Sequence, residues 1–169
     1  MRHFSRLTTA LIAAVFTLAT AAVAENTIYL VRHAEKENDG TRDPSLTTQG
    51  HVRALAIADM LTDKNLSKIY STNYKRTQQT AAPTARRHGL DAISYDPSML
   101  VDFAKTLIAS AETVLVVGHS NTTPYLVSLL SGQEFAALEE QQYDHMYVVL
   151  LKDDGRVEVR IMYISPRTH

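Results

Sequence analysis

Thr27-Ile28-Tyr29-Leu30-Val31 is a short, unbroken run of apolar and β-branched residues. A run of that length without polar alternation predicts a strand buried on both faces. A polar stretch rich in Asp, Asn and Gly follows from Glu35 to about Leu46, and Thr47 or Thr48 is placed to cap a helix reaching about Lys64. Val52, Leu55, Ala56 and Met60 form the stripe expected to face the core. The alternation continues with a strand at Lys68–Ser71, a helix over Lys75–Arg87 closed by Gly89, and a third strand at Ala92–Tyr95. Leu100, Phe103 and Leu107 then mark a helix by their spacing. Thr113–Val117 is the clearest strand in the chain. The helix predicted from Thr122 to Leu130 carries Pro124 in its first turn, where an N–H has no helical partner to lose.

The end of the chain changes period. Met146–Leu151 and Arg156–Ile164, joined through Asp153-Asp154-Gly155, read as a β-hairpin. Strands alternating with helices predict an α/β fold: a three-layer sandwich whose mostly parallel central sheet has helices on both faces, with the hairpin added at the C-terminus. With 169 residues, one domain with a full core is expected. Met99, Met146 and Met162 are expected to fill that core.

The segment before Thr27 does not belong to this pattern. Arg2, His3 and Arg6 are followed by an apolar stretch from Leu7 to Val23, and Ala22-Val23-Ala24 supplies small residues before Glu25. This is the layout of a secretory signal peptide cleaved after Ala24, leaving residues 25–169 as the mature domain, periplasmic or secreted, without a stable membrane span. Cleavage removes two arginines and no acid, so the formal charge moves from −1 to −3. A mildly acidic chain is ill suited to general nucleic-acid binding. The absence of cysteine removes thiol nucleophiles, disulfides and thiolate metal sites together.

Three predicted strands run into residues able to do chemistry. The first leads into Arg32-His33-Ala34-Glu35, the second into Ser71 to Ala81 with Arg76 at its centre, and the clearest strand into Gly118-His119-Ser120-Asn121. Carboxyl ends of parallel strands share one edge of the sheet, so Arg32, His33, Arg76 and His119 can converge there. Four groups able to carry positive charge repel one another unless an anion lies between them. Arginine's planar fork matches phosphate oxygens, and the amino end of the helix after His119 adds N–H groups to the same place. A second histidine goes beyond what binding needs. A neutral imidazole can attack phosphorus and carry the phosphoryl group, provided its other nitrogen is held by an acceptor such as a backbone carbonyl. No P-loop, calcium loop or HExxH helix appears, so no metal or cofactor is called for.

These segments resemble a known family. Val31-Arg32-His33-Ala34-Glu35 is similar to the R-H-G signature of the histidine phosphatase superfamily, the group that includes phosphoglycerate mutases. Ser71 to Ala81 resembles its S-x-x-x-R-x-x-Q-T-A block, and Val116-Val117-Gly118-His119 its G-H segment. The resemblance implies a phosphoglycerate mutase-like fold, His33 as the phosphorylated nucleophile, and Arg32, Arg76 and His119 as the rest of the phosphate-binding and catalytic set. Ala34 replaces the usual glycine. Ser120 stands where one branch of the superfamily places an acid directly after the second histidine. In the other branch the proton donor comes from a loop beyond the second arginine, which points to Asp96 or Asp102, and Glu35 is a third candidate because it adjoins the nucleophile.

The resemblance is closest to the small phosphatases, those like the phosphohistidine phosphatase SixA and the exported heptose-phosphate phosphatases of lipopolysaccharide core. It implies a phosphatase acting outside the cytoplasm on a small phosphorylated substrate, such as a sugar phosphate of the cell envelope. The competing readings are a phosphomutase, for which the short chain leaves little room, and a phosphate-binding module without turnover. Tyr143-Asp144-His145 precedes the hairpin and could reach the edge of the site, with a loop role the favoured reading, and Arg86-Arg87-His88 is a cationic helix end.

Overall fold

A computed structural model describes residues 26–168. The predicted signal peptide and its cleavage point lie outside the described residues. Six strands and four helices follow one another as β1 (Asn26–Arg32), α1 (Thr48–Met60), β2 (Lys68–Ser71), α2 (Lys75–His88), β3 (Ala92–Ser94), α3 (Leu100–Ser110), β4 (Val114–Gly118), α4 (Thr122–Ser131), β5 (His145–Leu151) and β6 (Val157–Tyr163). They form one sheet in the order β3-β2-β4-β1-β5-β6. The pairs β2–β3, β2–β4 and β1–β4 are parallel, while β1–β5 and β5–β6 are antiparallel. The expected three-layer α/β architecture with its C-terminal hairpin is therefore present.

Side chains alternate across the central strands and divide the core in two. Ile28 and Leu30 of β1 join Val114 and Val116 of β4 and Val149 of β5 beneath α3 and α4. Tyr29 and Val31 join Leu115, Val117, Met146 and Val148 beneath α1 and α2. Both faces of β1 and β4 are thus dry, which is why these strands read as continuous apolar runs.

The face that α1 buries is displaced from the predicted stripe. Val52 and Leu55 are about half exposed, and the buried residues are Gly50, Arg53, Ala54, Ile57 and Ala58. The inward phase is set by close approach and by an ion pair. A Cβ on Gly50 would collide with the Glu35 backbone oxygen. Arg53, 1% exposed, grips the Glu35 carboxylate through Nε and Nη2 and donates from Nη1 to the carbonyls of Ile164 and Pro166. One buried guanidinium thus ties α1, the segment after β1 and the C-terminal tail together. The methionine expectation also needs correction. Met146 is fully buried on β5, but Met162 lies on the edge strand β6 and Met99 precedes α3, and both are exposed.

Candidate active site

Arg32 ends β1 and His33 follows it. The His33 backbone N–H donates to the carbonyl of Gly118 at the end of β4 (2.9 Å), so the two strand ends are stitched where the chemistry lies. On the other side of β4, β2 delivers Ser71 and Thr72, and Arg76 stands in the first turn of α2. Arg32, His33, Arg76 and His119 line a single cavity of about 490 Å³, with Lys36, Tyr74 and Glu140 at its walls. The convergence expected from sequence is therefore observed.

The two arginines are held in the same manner. Arg32, 2% exposed, directs Nη1 at the backbone carbonyls of Glu139, Glu140 and Gln142 (2.9–3.0 Å), and its Cζ lies 3.9 Å from the centre of the Tyr143 ring. Arg76 has Nη1 3.7 Å from Asp43 and its Cζ 4.4 Å from the centre of the Tyr74 ring. In each, Nε is buried and has no hydrogen-bond partner. A buried, unpaired donor on a charged group is costly. Both arginines line the one cavity, so a tetrahedral oxyanion entering it would meet two guanidinium groups that still have donors to satisfy. The amino end of α4 adds to this. Its cap residue Asn121 makes no side-chain cap bond, and Ser120, Asn121 and Thr122 all line the cavity.

The tautomer of His33 follows from its partner. Nδ1 lies 2.8 Å from the Ala34 carbonyl, which can only accept, so Nδ1 carries the hydrogen and Nε2 keeps its lone pair. Burial lowers its pKa to about 3; the Ala34 bond, second in size, opposes this, and the nearby Arg32, His119 and Arg76 lower it further. The ring is a neutral base at physiological pH.

His119 is fixed by a longer argument. Thr77 Oγ1 donates its one hydrogen to the carbonyl of Thr72 (2.8 Å) or Tyr74 (2.9 Å). It therefore accepts from Thr72 Oγ1, 3.0 Å away, and Thr72 has no further hydrogen to give. Thr72 Oγ1 must then accept from His119 Nε2, at 2.9 Å. This leaves Nδ1 as the ring nitrogen that can meet a ligand. Burial, then Arg76 and Arg32, lower the His119 pKa to about 4. The two imidazoles stand edge to face with centroids 5.6 Å apart.

None of the three acids singled out from sequence lines this cavity. Glu35 is committed to Arg53. Asp96 accepts from the backbone and hydroxyl of Ser98, which hold its carboxyl below the usual range, and it lies on the wall of an adjoining groove. Asp102 is paired with Lys105 on exposed surface beside a second groove. The carboxylate at the cavity is Glu140, 3.8 Å from Arg32 Nη2. Tyr143, read mainly as loop though able to reach the edge of the site, supports Arg32 with its ring, which lies 6.2 Å from the His33 ring. Of the other histidines, His88 bonds the Leu61 carbonyl and His145 bonds Asp144. Among the described residues, no three His, Asp or Glu side chains group to hold a metal.

Residues 28–99 match the histidine phosphatase superfamily (branch 1). An uncharacterised Mycobacterium tuberculosis protein, Rv0525, is 35% identical over 82 residues, which cover 45% of this chain and 40% of that protein. The chain therefore spans well under half the length of that relative. Phosphoserine phosphatase 1 of Hydrogenobacter thermophilus is 36% identical over 157 residues, covering 82% of this chain and 74% of that enzyme. Among solved structures, the protein histidine phosphatase SixA complexed with tungstate superposes with a TM-score of 0.67 at 20% identity, over 81% of this chain and 96% of that one. At that identity the likeness concerns the fold. With the match extending over most of both sequences in the Hydrogenobacter enzyme, and the fold shared with SixA, this chain belongs to the histidine phosphatase superfamily.

Proposed function

We propose that the protein is a phosphatase that hydrolyses a small phosphomonoester through a phosphohistidine on His33, outside the cytoplasm. The observation that carries this reading is the pair of buried, unpartnered arginine Nε groups beside a histidine whose Nε2 lone pair is set by the Ala34 carbonyl. The forks of Arg32 and Arg76 bind the phosphate oxygens and hold phosphorus in line with Nε2. Nε2 forms the N–P bond as the ester P–O bond breaks, and the departing oxygen takes a proton from Glu140. In the second step water gives a proton back to Glu140 and attacks phosphorus, and the N–P bond breaks to return neutral His33 and free phosphate. As the anion enters, His119 takes a proton from solvent on Nδ1, keeps it, and hydrogen-bonds it to an equatorial oxygen, returning it to solvent when phosphate leaves. A SixA that holds tungstate, a tetrahedral oxyanion, supports this use of the fold.

The basic start, apolar stretch and Ala22-Val23-Ala24 support export, with cleavage after Ala24. The sequence resemblance alone implies an envelope sugar phosphate, whereas the apolar groove beside the phosphate cavity favours a less polar alcohol. The test is turnover of p-nitrophenyl phosphate, whose good leaving group asks little of an acid. Wild-type protein should release phosphate, and His33→Ala should lose activity by roughly three orders of magnitude or more. Equal turnover by the two would overturn the proposal.

A further inference from the structure

A second groove, of about 430 Å³, opens from the phosphate cavity and shares Pro97, Ser98, Asn121 and Thr122 with it. It runs between the amino ends of α3 and α4. Its walls carry three large apolar side chains, Met99, Val101 and Tyr125, each about half exposed. Pro97 and Ser98 are shared with another groove, lined by Asn73, Tyr74, Ser94, Tyr95 and Asp96. Two grooves thus adjoin the cradle, one with mostly apolar walls and one with mixed walls.

On the phosphatase reading above, we infer that the apolar groove is the leaving-group site, and that the substrate is a phosphomonoester whose alcohol is an alkyl, acyl or aryl group. A phosphate held between Arg32 and Arg76 must send its ester oxygen out of the cavity, and the groove continues from the cavity along its shared wall at Asn121 and Thr122. Half-exposed Met99, Val101 and Tyr125 gain only from a partner that removes more of their surface from water. A sugar's hydroxyls would find Ser98, Asn121 and Thr122 only at the end shared with the phosphate cavity; beyond it the walls are Met99, Leu100, Val101 and Tyr125, and Asp102 is occupied by Lys105.

Binding of n-alkylphosphonates, which resist hydrolysis, tests the groove whether or not turnover is seen. Each methylene laid against walls of this exposure should tighten binding about twofold, so hexylphosphonate should bind roughly fifteenfold more tightly than ethylphosphonate. Val101→Gln and Tyr125→Ser, on half-exposed positions where the fold tolerates change, should flatten that series and leave ethylphosphonate binding as it is. Equal binding along the series, or a preference for glucose 6-phosphate over hexylphosphonate, would overturn the inference and leave the phosphatase reading intact. Failure of every phosphonate and of inorganic phosphate to bind would overturn the phosphatase reading itself.

Discussion

At the scale of single residues, the site depends on which nitrogen carries which hydrogen. Thr72 and Thr77 are fully buried and touch no substrate, yet their hydroxyl chain fixes His119 with its hydrogen on Nε2. Thr77→Val frees the Thr72 hydrogen to point at His119. The ring should then shift toward the Nδ1–H tautomer, read by ¹⁵N chemical shifts, with kcat reduced about tenfold and both effects restored in Thr77→Ser. Glu140→Gln should lower kcat/KM for alkyl phosphates by about 10²-fold or more while barely changing p-nitrophenyl phosphate, because only the poor leaving group needs the proton. If both substrates suffer alike, Glu140 acts on binding instead. His33, with its pKa lowered to about 3, stays unprotonated between pH 5 and 8. Once substrate ionisation is allowed for, kcat/KM should show no acid limb near pH 6.5.

The elements explain both what the sequence discloses and what it hides. The strands β1 and β4 were legible because burial on both faces leaves only apolar choices, and the family-like segments sit directly at their carboxyl ends. The phase of α1 was not legible. Its inward face holds Gly50 and Arg53, which a hydrophobic pattern scores as surface, and the Glu35 carboxylate that permits Arg53 is 18 residues away. Arg53→Ala should destabilise the protein by about 3 kcal/mol by leaving the Glu35 carboxylate without its partner. Arg53→Met should cost clearly less with Glu35→Gln beside it, measurable as midpoints of urea unfolding. Glu140 was missed, and Tyr143 was read mainly as loop, for a topological reason. Because β5 runs antiparallel to β1, the loop before β5 returns to the edge where β1 ends, and nothing in that loop's composition announces its neighbour.

For the molecule as a whole, the site opposes stability, and the anion is the remedy. Folding lowers the pKa of His33 to about 3 and of His119 to about 4, both below the ordinary value of 6.5. Between pH 6.5 and about 4, the unfolded chain therefore binds protons that the folded chain refuses. The histidine contribution is neutral above pH 6.5 and increasingly destabilising below it. Thermal unfolding in phosphate-free buffer should show a falling midpoint from pH 7 to pH 5, and His33→Asn with His119→Asn should reduce that fall. Inorganic phosphate should raise the midpoint at either pH, in proportion to its occupancy of the cradle.

The central claim is that His33 Nε2 bears the phosphoryl group. Rapid acid-free quenching of the protein during turnover of p-nitrophenyl phosphate, followed by peptide mass spectrometry under alkaline conditions, reads this directly. A single acid-labile phosphoryl group on His33, lost on standing in water, is the expected result. Phosphate release with no modified His33, or with the label on another residue, would contradict it.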